Sequence, residues 1–146
     1  MTADDDSRGE ADVKRGSFDH IPVLLSEVCE VTAPAAGEVI VDATFGAGGY
    51  SRAFLEMAEC SVIGFDRDPS AAAAAEALAD EFPGRFRFVP APFAELDQHL
   101  DAPVDAVVFD IGVSSMQLDD PARGFSFMNP GPLDMRMFAA HGAAPE

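Results

Sequence analysis

The chain has 146 residues, enough for one domain with a substantial core, and 48% of them are apolar. Its formal net charge is −17, with six Arg and no Lys beyond residue 17, which argues against strong nucleic-acid binding by this chain alone. No apolar run reaches the ~18 residues of a membrane span, the N-terminus lacks the apolar stretch of a secretory signal, and Cys29 and Cys60 have no metal-ligand spacing. Those features describe a cytoplasmic protein with reduced thiols, no membrane contact and no metal site.

Residues 1–17 hold Asp4, Asp5, Asp6, Glu10 and Asp12 with almost nothing apolar, and read as a solvated, disordered acidic tail. A helix is expected next. Pro22 suits its first turn, Val23, Leu24, Val28 and Val31 share a face, and Pro34 and Gly37 end it. His20 reads as a histidine at the start of that helix. The first strand is expected over about 38–45, where Val39, Ile40 and Val41 make the β-branched run of a central parallel strand.

Gly46, Gly48 and Gly49 then turn the chain into a helix expected from Gly49 to Ala58. Ser51 stands where a G-x-G-x-x-G dinucleotide fingerprint has its third glycine. Asp42, just before the turn, would repel a pyrophosphate and suits a ligand carrying an ammonium and a sulfonium. That combination favours S-adenosylmethionine (SAM) over NAD, against the plainer reading of a structural strand–turn–helix corner. Residues 61–66 form a second apolar run ending in Asp66, 20 positions after Gly46. A carboxylate there can accept from both ribose hydroxyls of an adenosine. Asp68 is the rival, although Asp68, Pro69 and Ser70 look more like the start of the following helix, Ala71–Phe82.

Residues 85–89 alternate in the manner of an edge strand, with Arg85 and Arg87 on a solvated face rather than in a nucleic-acid patch. Phe93–Leu100 reads as a short helix and Val104–Asp110 as a fourth apolar strand ending in a carboxylate. Strands alternating with helices at this spacing imply right-handed βαβ units and a parallel sheet of order 3-2-1-4. Its ligand site then lies where strand order reverses, with the Gly46 turn beside Asp110. At that place Asp110 can contact a cofactor, the preferred reading, or accept the N–H groups of an amine acceptor. Phe93 is either core or a platform for adenine.

Seven blocks in order then become specific: His20-x-x-Val-Leu-Leu, Asp42-Ala-Thr-Phe-Gly-x-Gly-Gly, Phe65-Asp-Arg-Asp-Pro69, Gly112-Val-Ser-Ser, Gln117-Leu-Asp-Asp, Arg123-Gly-Phe-Ser-Phe127 and Gly131-Pro-Leu-Asp-Met-Arg-Met137. Together they resemble the MraW family, bacterial methyltransferases of the exocyclic N4 of a cytidine in small-subunit ribosomal RNA. The resemblance implies a Rossmann-like class I SAM-dependent methyltransferase core, α/β with helices on both faces of a parallel sheet. It implies SAM contacts at Gly48, Gly49, Tyr50, Asp66, Phe93, Asp110 and Gln117, with Asp110 the one candidate for a catalytic role. The motif Asp110-Ile-Gly-Val departs from the Asn/Asp-Pro-Pro-aromatic motif of most amino-methyltransferases, so an acceptor-holding role is not copied from them.

Family members are longer. The resemblance therefore implies that residues 18–138 are the N-terminal part of the methyltransferase domain. Residues 139–146 would lead towards a helical insert, and the sheet would be left incomplete after the fourth strand. Asp119, Asp120, Arg123, Phe125 and Phe127 are expected to face substrate or that insert, with Phe125 or Phe127 available to stack on a flipped cytosine or simply to pack. Most RNA contacts would come from outside this chain, which by itself is expected to bind SAM weakly and methylate RNA little or not at all.

Overall fold

The computed structural model describes residues 22–137. The acidic tail expected at 1–17, His20 and the linker expected at 139–146 lie outside the described residues. Four strands, β1 (Val39–Asp42), β2 (Ser61–Phe65), β3 (Phe86–Val89) and β4 (Ala106–Val108), form one parallel sheet in the order β3-β2-β1-β4. That is the order expected from the alternation of strands and helices. It puts β1 between β2 and β4, where Ile40 and Val41 are fully buried.

Alternate residues serve opposite faces of the sheet. Ile40, Val62 and Phe86 lie in register on one face, covered by α1 (Leu25–Thr32), α2 (Gly49–Met57) and α3 (Ala72–Glu81). Val41, Phe65 and Val89 serve the other, where Leu96 of α4 (Leu96–His99) and Leu100 pack. Small side chains let α3 lie close to the sheet: Ala71 just before it, Ala75 and Leu78 are buried, Ala74 packs against them, and Ala72 and Ala73 are exposed. Both cysteines are buried free thiols. No helix among the described residues is long and apolar enough to cross a membrane.

Several expected boundaries move, each for a local reason. The first helix begins at Leu25, not at Pro22, because Leu24 before it is left-handed, with φ of 55°. Pro22 packs instead against Gly49, where a Cβ would meet Pro22 Cγ at 2.3 Å. On the expected apolar face only Val28 packs on the core; Val23, Leu24 and Val31 are exposed. The first strand ends at Asp42, before the turn, and the fourth shortens to three residues because its only sheet neighbour among the described residues, β1, ends there. Phe93–Glu95 forms a 3-10 turn before α4, so the short helix expected at 93–100 is two pieces.

Arg85 is a sharper correction. It precedes β3 rather than lining a wet strand face, and it folds back to the end of α2. Its Nη2 donates to the carbonyls of Leu55 at 2.5 Å and Ala58 at 2.6 Å, and its Nε to that of Cys60 at 3.1 Å. A helix C-terminus leaves carbonyls unpaired and carries partial negative charge, so a guanidinium satisfies both needs at once. Arg87 does keep an exposed position and donates to the His99 carbonyl. Arg85→Met is therefore expected to destabilise the protein by about 2–3 kcal/mol in urea denaturation, against less than about 1 kcal/mol for Arg87→Met.

Candidate functional site

All strands of a parallel sheet end on the same edge, so the loops after them converge there. They enclose a cavity of about 610 Å³, within the range that small-molecule sites occupy. The turn after β1 contributes Thr44, Gly46, Ala47 and Gly49, and the loop after β2 contributes Asp66 and Asp68. Ala91 and Phe93 come from the loop after β3, and Asp110, Ser114 and Gln117 from the segment after β4. Pro22, Val23 and Met137 complete the wall.

The glycine turn is shaped by one ring. Phe45 is 3% exposed and turns back under the loop, 5.3 Å from the Phe86 ring and 5.4 Å from that of Phe88, centre to centre. A Cβ at Gly48 would sit 2.7 Å from Phe45 Cζ, and one at Gly64 would sit 2.7 Å from Phe45 Cδ2. Gly48 also adopts φ of 82° as the residue preceding α2, a conformation few other residues tolerate. It does not line the cavity; its neighbours Ala47, Gly49 and Tyr50 do. Asp66 fixes the turn from the side. Its Oδ2 accepts from the backbone N–H of Gly46 at 2.7 Å and its Oδ1 from that of Asp68 at 2.9 Å.

Asp42 behaves differently from the sequence-based expectation. It is fully buried on the α2 face of the sheet and does not line the cavity. Its Oδ2 accepts from Ser51 Oγ at 2.7 Å and its Oδ1 from the N–H of Thr44 at 3.3 Å. It therefore ties the end of β1 to the first turn of α2 instead of facing a ligand. Burial raises its pKa to about 6, with the Ser51 and Thr44 hydrogen bonds opposing and the charge of Asp66 adding to the rise.

Asp68 does begin the next helical segment, accepting from Ser70 N at 3.0 Å and Ser70 Oγ at 2.8 Å. It also does more, because it is 4% exposed and paired to Arg123 at 2.7 Å. Gln117 Nε2 donates at 2.6 Å to Oδ2, the oxygen that Arg123 Nη2 also meets. Burial alone would push the Asp68 pKa up; the hydrogen bonds from Arg123, Gln117 and Ser70 outweigh it and hold the group at about 2. Arg123 is thus folded inward, where the expectation was that it faces substrate or the insert. Phe125 is buried with the Arg123 guanidinium 5.9 Å from its ring, whereas Phe127 is 94% exposed. Asp120 caps the 3-10 turn Pro121–Arg123, and Asp119 is exposed at the end of α5 (Ser115–Asp119).

The remaining candidates meet at the cavity. Phe93 is 44% exposed and stands edge-on to Phe109, 5.5 Å between ring centres, so its ring is half free and held from behind. Asp110 is set by its own N–H, which donates to Thr44 Oγ1 at 2.7 Å across the β1–β4 boundary. Tyr50 is buried, and its hydroxyl donates to the Val23 carbonyl. Burial first, then the charges of Asp110 and Asp42, raise the Tyr50 pKa. Gln117 is buried and forms a capping box with Ser114, which leaves its Nε2 pointing to Asp68. Among the described residues no group of three or more His, Cys, Asp or Glu is placed to hold a metal ion.

A parallel sheet with a switch-point cavity, a glycine turn after β1 and an acid after β2 define a Rossmann-like class I methyltransferase core. An rRNA methylase from Streptococcus thermophilus shares this fold, with a TM-score of 0.52 and 21% identity over 66% of this chain and 58% of that one. The chain belongs to the MraW methylase family, whose sequence profile matches residues 17–144. It is 54% identical over 131 residues to a protein of Zymomonas mobilis named ribosomal RNA small subunit methyltransferase H, covering 87% of this chain and 40% of that one. A Mesorhizobium japonicum protein of the same name is 58% identical over 125 residues, covering 86% and 36%. The chain thus spans about two fifths of the length of the curated relatives it matches.

Asp42 makes stability depend on pH in an unusual direction. Its folded carboxyl keeps a proton to about pH 6, whereas an unfolded one loses it near pH 4. Between those values the folded state binds more protons, so this group's contribution falls as pH rises, by on the order of 2–3 kcal/mol in all. Urea denaturation of the wild type and Asp42→Asn at several pH values from 4 to 7 checks this. The wild type should lose stability relative to the variant up to about pH 6 and hold steady above it; a difference independent of pH would contradict the assignment.

Proposed function

We propose that this chain supplies the cofactor-binding part of a SAM-dependent methyltransferase acting on the exocyclic N4 of a cytidine in small-subunit ribosomal RNA. The observation that carries the reading is the acidic cavity at the switch point. It combines a carboxylate one βα unit after the glycine turn, a half-free aromatic ring, and a second carboxylate at the end of β4. Relatives that share half of this chain's residues bear the name of a small-subunit rRNA methyltransferase.

The residues fit SAM on chemical grounds. Asp66 keeps lone pairs beyond those given to Gly46 and Asp68, and they can accept from both ribose hydroxyls. The exposed face of Phe93 can stack on adenine. Gly49 and Tyr50 bring the start of α2 to the ligand, Gly48 shapes that approach from behind, and Asp110 with Gln117 closes the β4 side. Asp66 and Asp110 give the wall a negative character suited to a cationic ligand. SAM supplies a methyl group already activated on a sulfonium. The task left to the chain is orientation. The Asp110 carboxylate can accept an N–H of the acceptor amine and turn its lone pair toward the donor.

One observation favours a second reading. A net charge of −17 suits an acceptor amine on a protein or small molecule, or a non-catalytic SAM-binding module, better than it suits RNA. In the leading reading the phosphate contacts come from outside this chain, and the protein works in the bacterial cytoplasm, where the small ribosomal subunit is found. Calorimetry with SAM, S-adenosylhomocysteine and NAD tests the cofactor. SAM and S-adenosylhomocysteine should bind and NAD should not, and Asp66→Ala should weaken SAM at least about tenfold. A preference for NAD contradicts the proposal. Labelled methyl transfer by this chain, joined to the remaining length of one of its curated relatives, onto ribosomal subunits, compared with a ribosome-free protein extract, decides the acceptor.

A further inference from the structure

Arg123 and Asp68 are 55 positions apart in sequence, yet they meet as a buried bidentate pair, with Nη1–Oδ1 at 3.0 Å and Nη2–Oδ2 at 2.7 Å. The same Nη2 reaches the carbonyls of Met137 at 2.9 Å and Arg136 at 3.4 Å. Arg123 does not line the cavity, but two residues held through it, Gln117 and Met137, do. Between these contacts residues 121–137 fold tightly on themselves. A Cβ on Gly124 would lie 1.9 Å from the Asp134 carbonyl oxygen, and one on Gly131 would lie 2.1 Å from that of Pro121. Arg67 Nη2 meets Met137 Sδ at 3.3 Å from the opposite wall.

A pair that served only to neutralise a buried charge would need one contact to one carboxylate. Here the guanidinium is shared between the loop after β2 and the far end of the 121–137 segment. Among the described residues its Nε has no partner, so the two terminal nitrogens carry the attachment there. Planar fork geometry is what a bidentate grip requires and what an ammonium lacks. We propose that Arg123 is a positioning residue for the cofactor site: through Asp68 it seats the Gln117 carboxamide, and through the Met137 carbonyl it pins the segment that closes the cavity. The cofactor part of this inference rests on the reading of the cavity as a SAM site.

SAM titration by calorimetry and peptide-resolved hydrogen exchange on the 146-residue chain test it, using Arg123→Met, Arg123→Lys and the double variant Asp68→Leu/Arg123→Met. Arg123→Met should weaken SAM at least about tenfold and lose exchange protection at 114–119 and 132–137, while β1 and β2 keep theirs. Arg123→Lys, with charge but no fork, should fall between it and the wild type. The double variant should regain the denaturation midpoint, since an apolar pair buries no charge, yet not the affinity. Recovery of both would reduce Arg123 to a neutralising charge and overturn the proposal. So would an affinity for Arg123→Met within about twofold of wild type, or loss of protection throughout β1 and β2 even in Arg123→Lys. If the wild type itself does not bind SAM, the cofactor reading fails and exchange decides the pin: unchanged protection at 114–119 and 132–137 overturns it, local loss supports it.

Discussion

The hydrogen bond from the Gly46 N–H to Asp66 Oδ2, 2.7 Å long, joins the two loops on which the cavity depends. Each loop follows a different strand, and nothing in local sequence holds them together. The carboxylate does so because β1 and β2 pair in parallel register, which brings their carboxyl ends level. Beneath that bond the Phe45 ring fills the space left by two side-chain-free residues, Gly48 and Gly64. The upper surface of the turn is therefore bare backbone, and its lower surface is a packed aromatic cluster. A site built this way is rigid where it meets a ligand because it is close-packed where it meets the core.

Acidic groups around the cavity divide by environment. Asp42 is buried without a cation and holds its proton to about pH 6; Asp68 is buried with Arg123 and stays ionised down to about pH 2. Both are structural ties. Asp66 and Asp110, which line the cavity, hold backbone or are held by it, and retain oxygen lone pairs for a ligand. Sequence reasoning separates Asp66 and Asp110 from Asp68 but misplaces Asp42. Asp42, Asp66, Asp68 and Asp110 all stand at or just beyond the end of an apolar run, and alternation along a strand decides only which face each one takes.

Much of the fold was legible because its signals are local. Apolar runs of strand length, separated by alanine-rich or glycine-started helices, gave the strand order without error, and the glycine turn pointed to the edge where the cavity lies. The failures involve contacts between distant positions. Arg85 reads as a strand residue until its carbonyl partners on α2 are seen. Asp68 reads as a helix cap, which it is, but its partners Gln117 and Arg123 are 49 and 55 residues away. Arg123 was expected to face substrate or an insert, but its bidentate pair with Asp68 buries it; Phe125 takes the packing alternative. The space that Gly48 frees by lacking a side chain is taken by Phe45, a contact that glycine spacing does not announce.

A crystal structure of this chain grown with S-adenosylhomocysteine shows whether the loop after β1, the carboxylate after β2 and the end of β4 together form one adenosine-binding cavity. Ribose hydroxyls are expected on Asp66, adenine against Phe93, and the amino-acid end between Gly49 and Asp110. An adenosine bound elsewhere, or an empty cavity at saturating ligand, would contradict that arrangement.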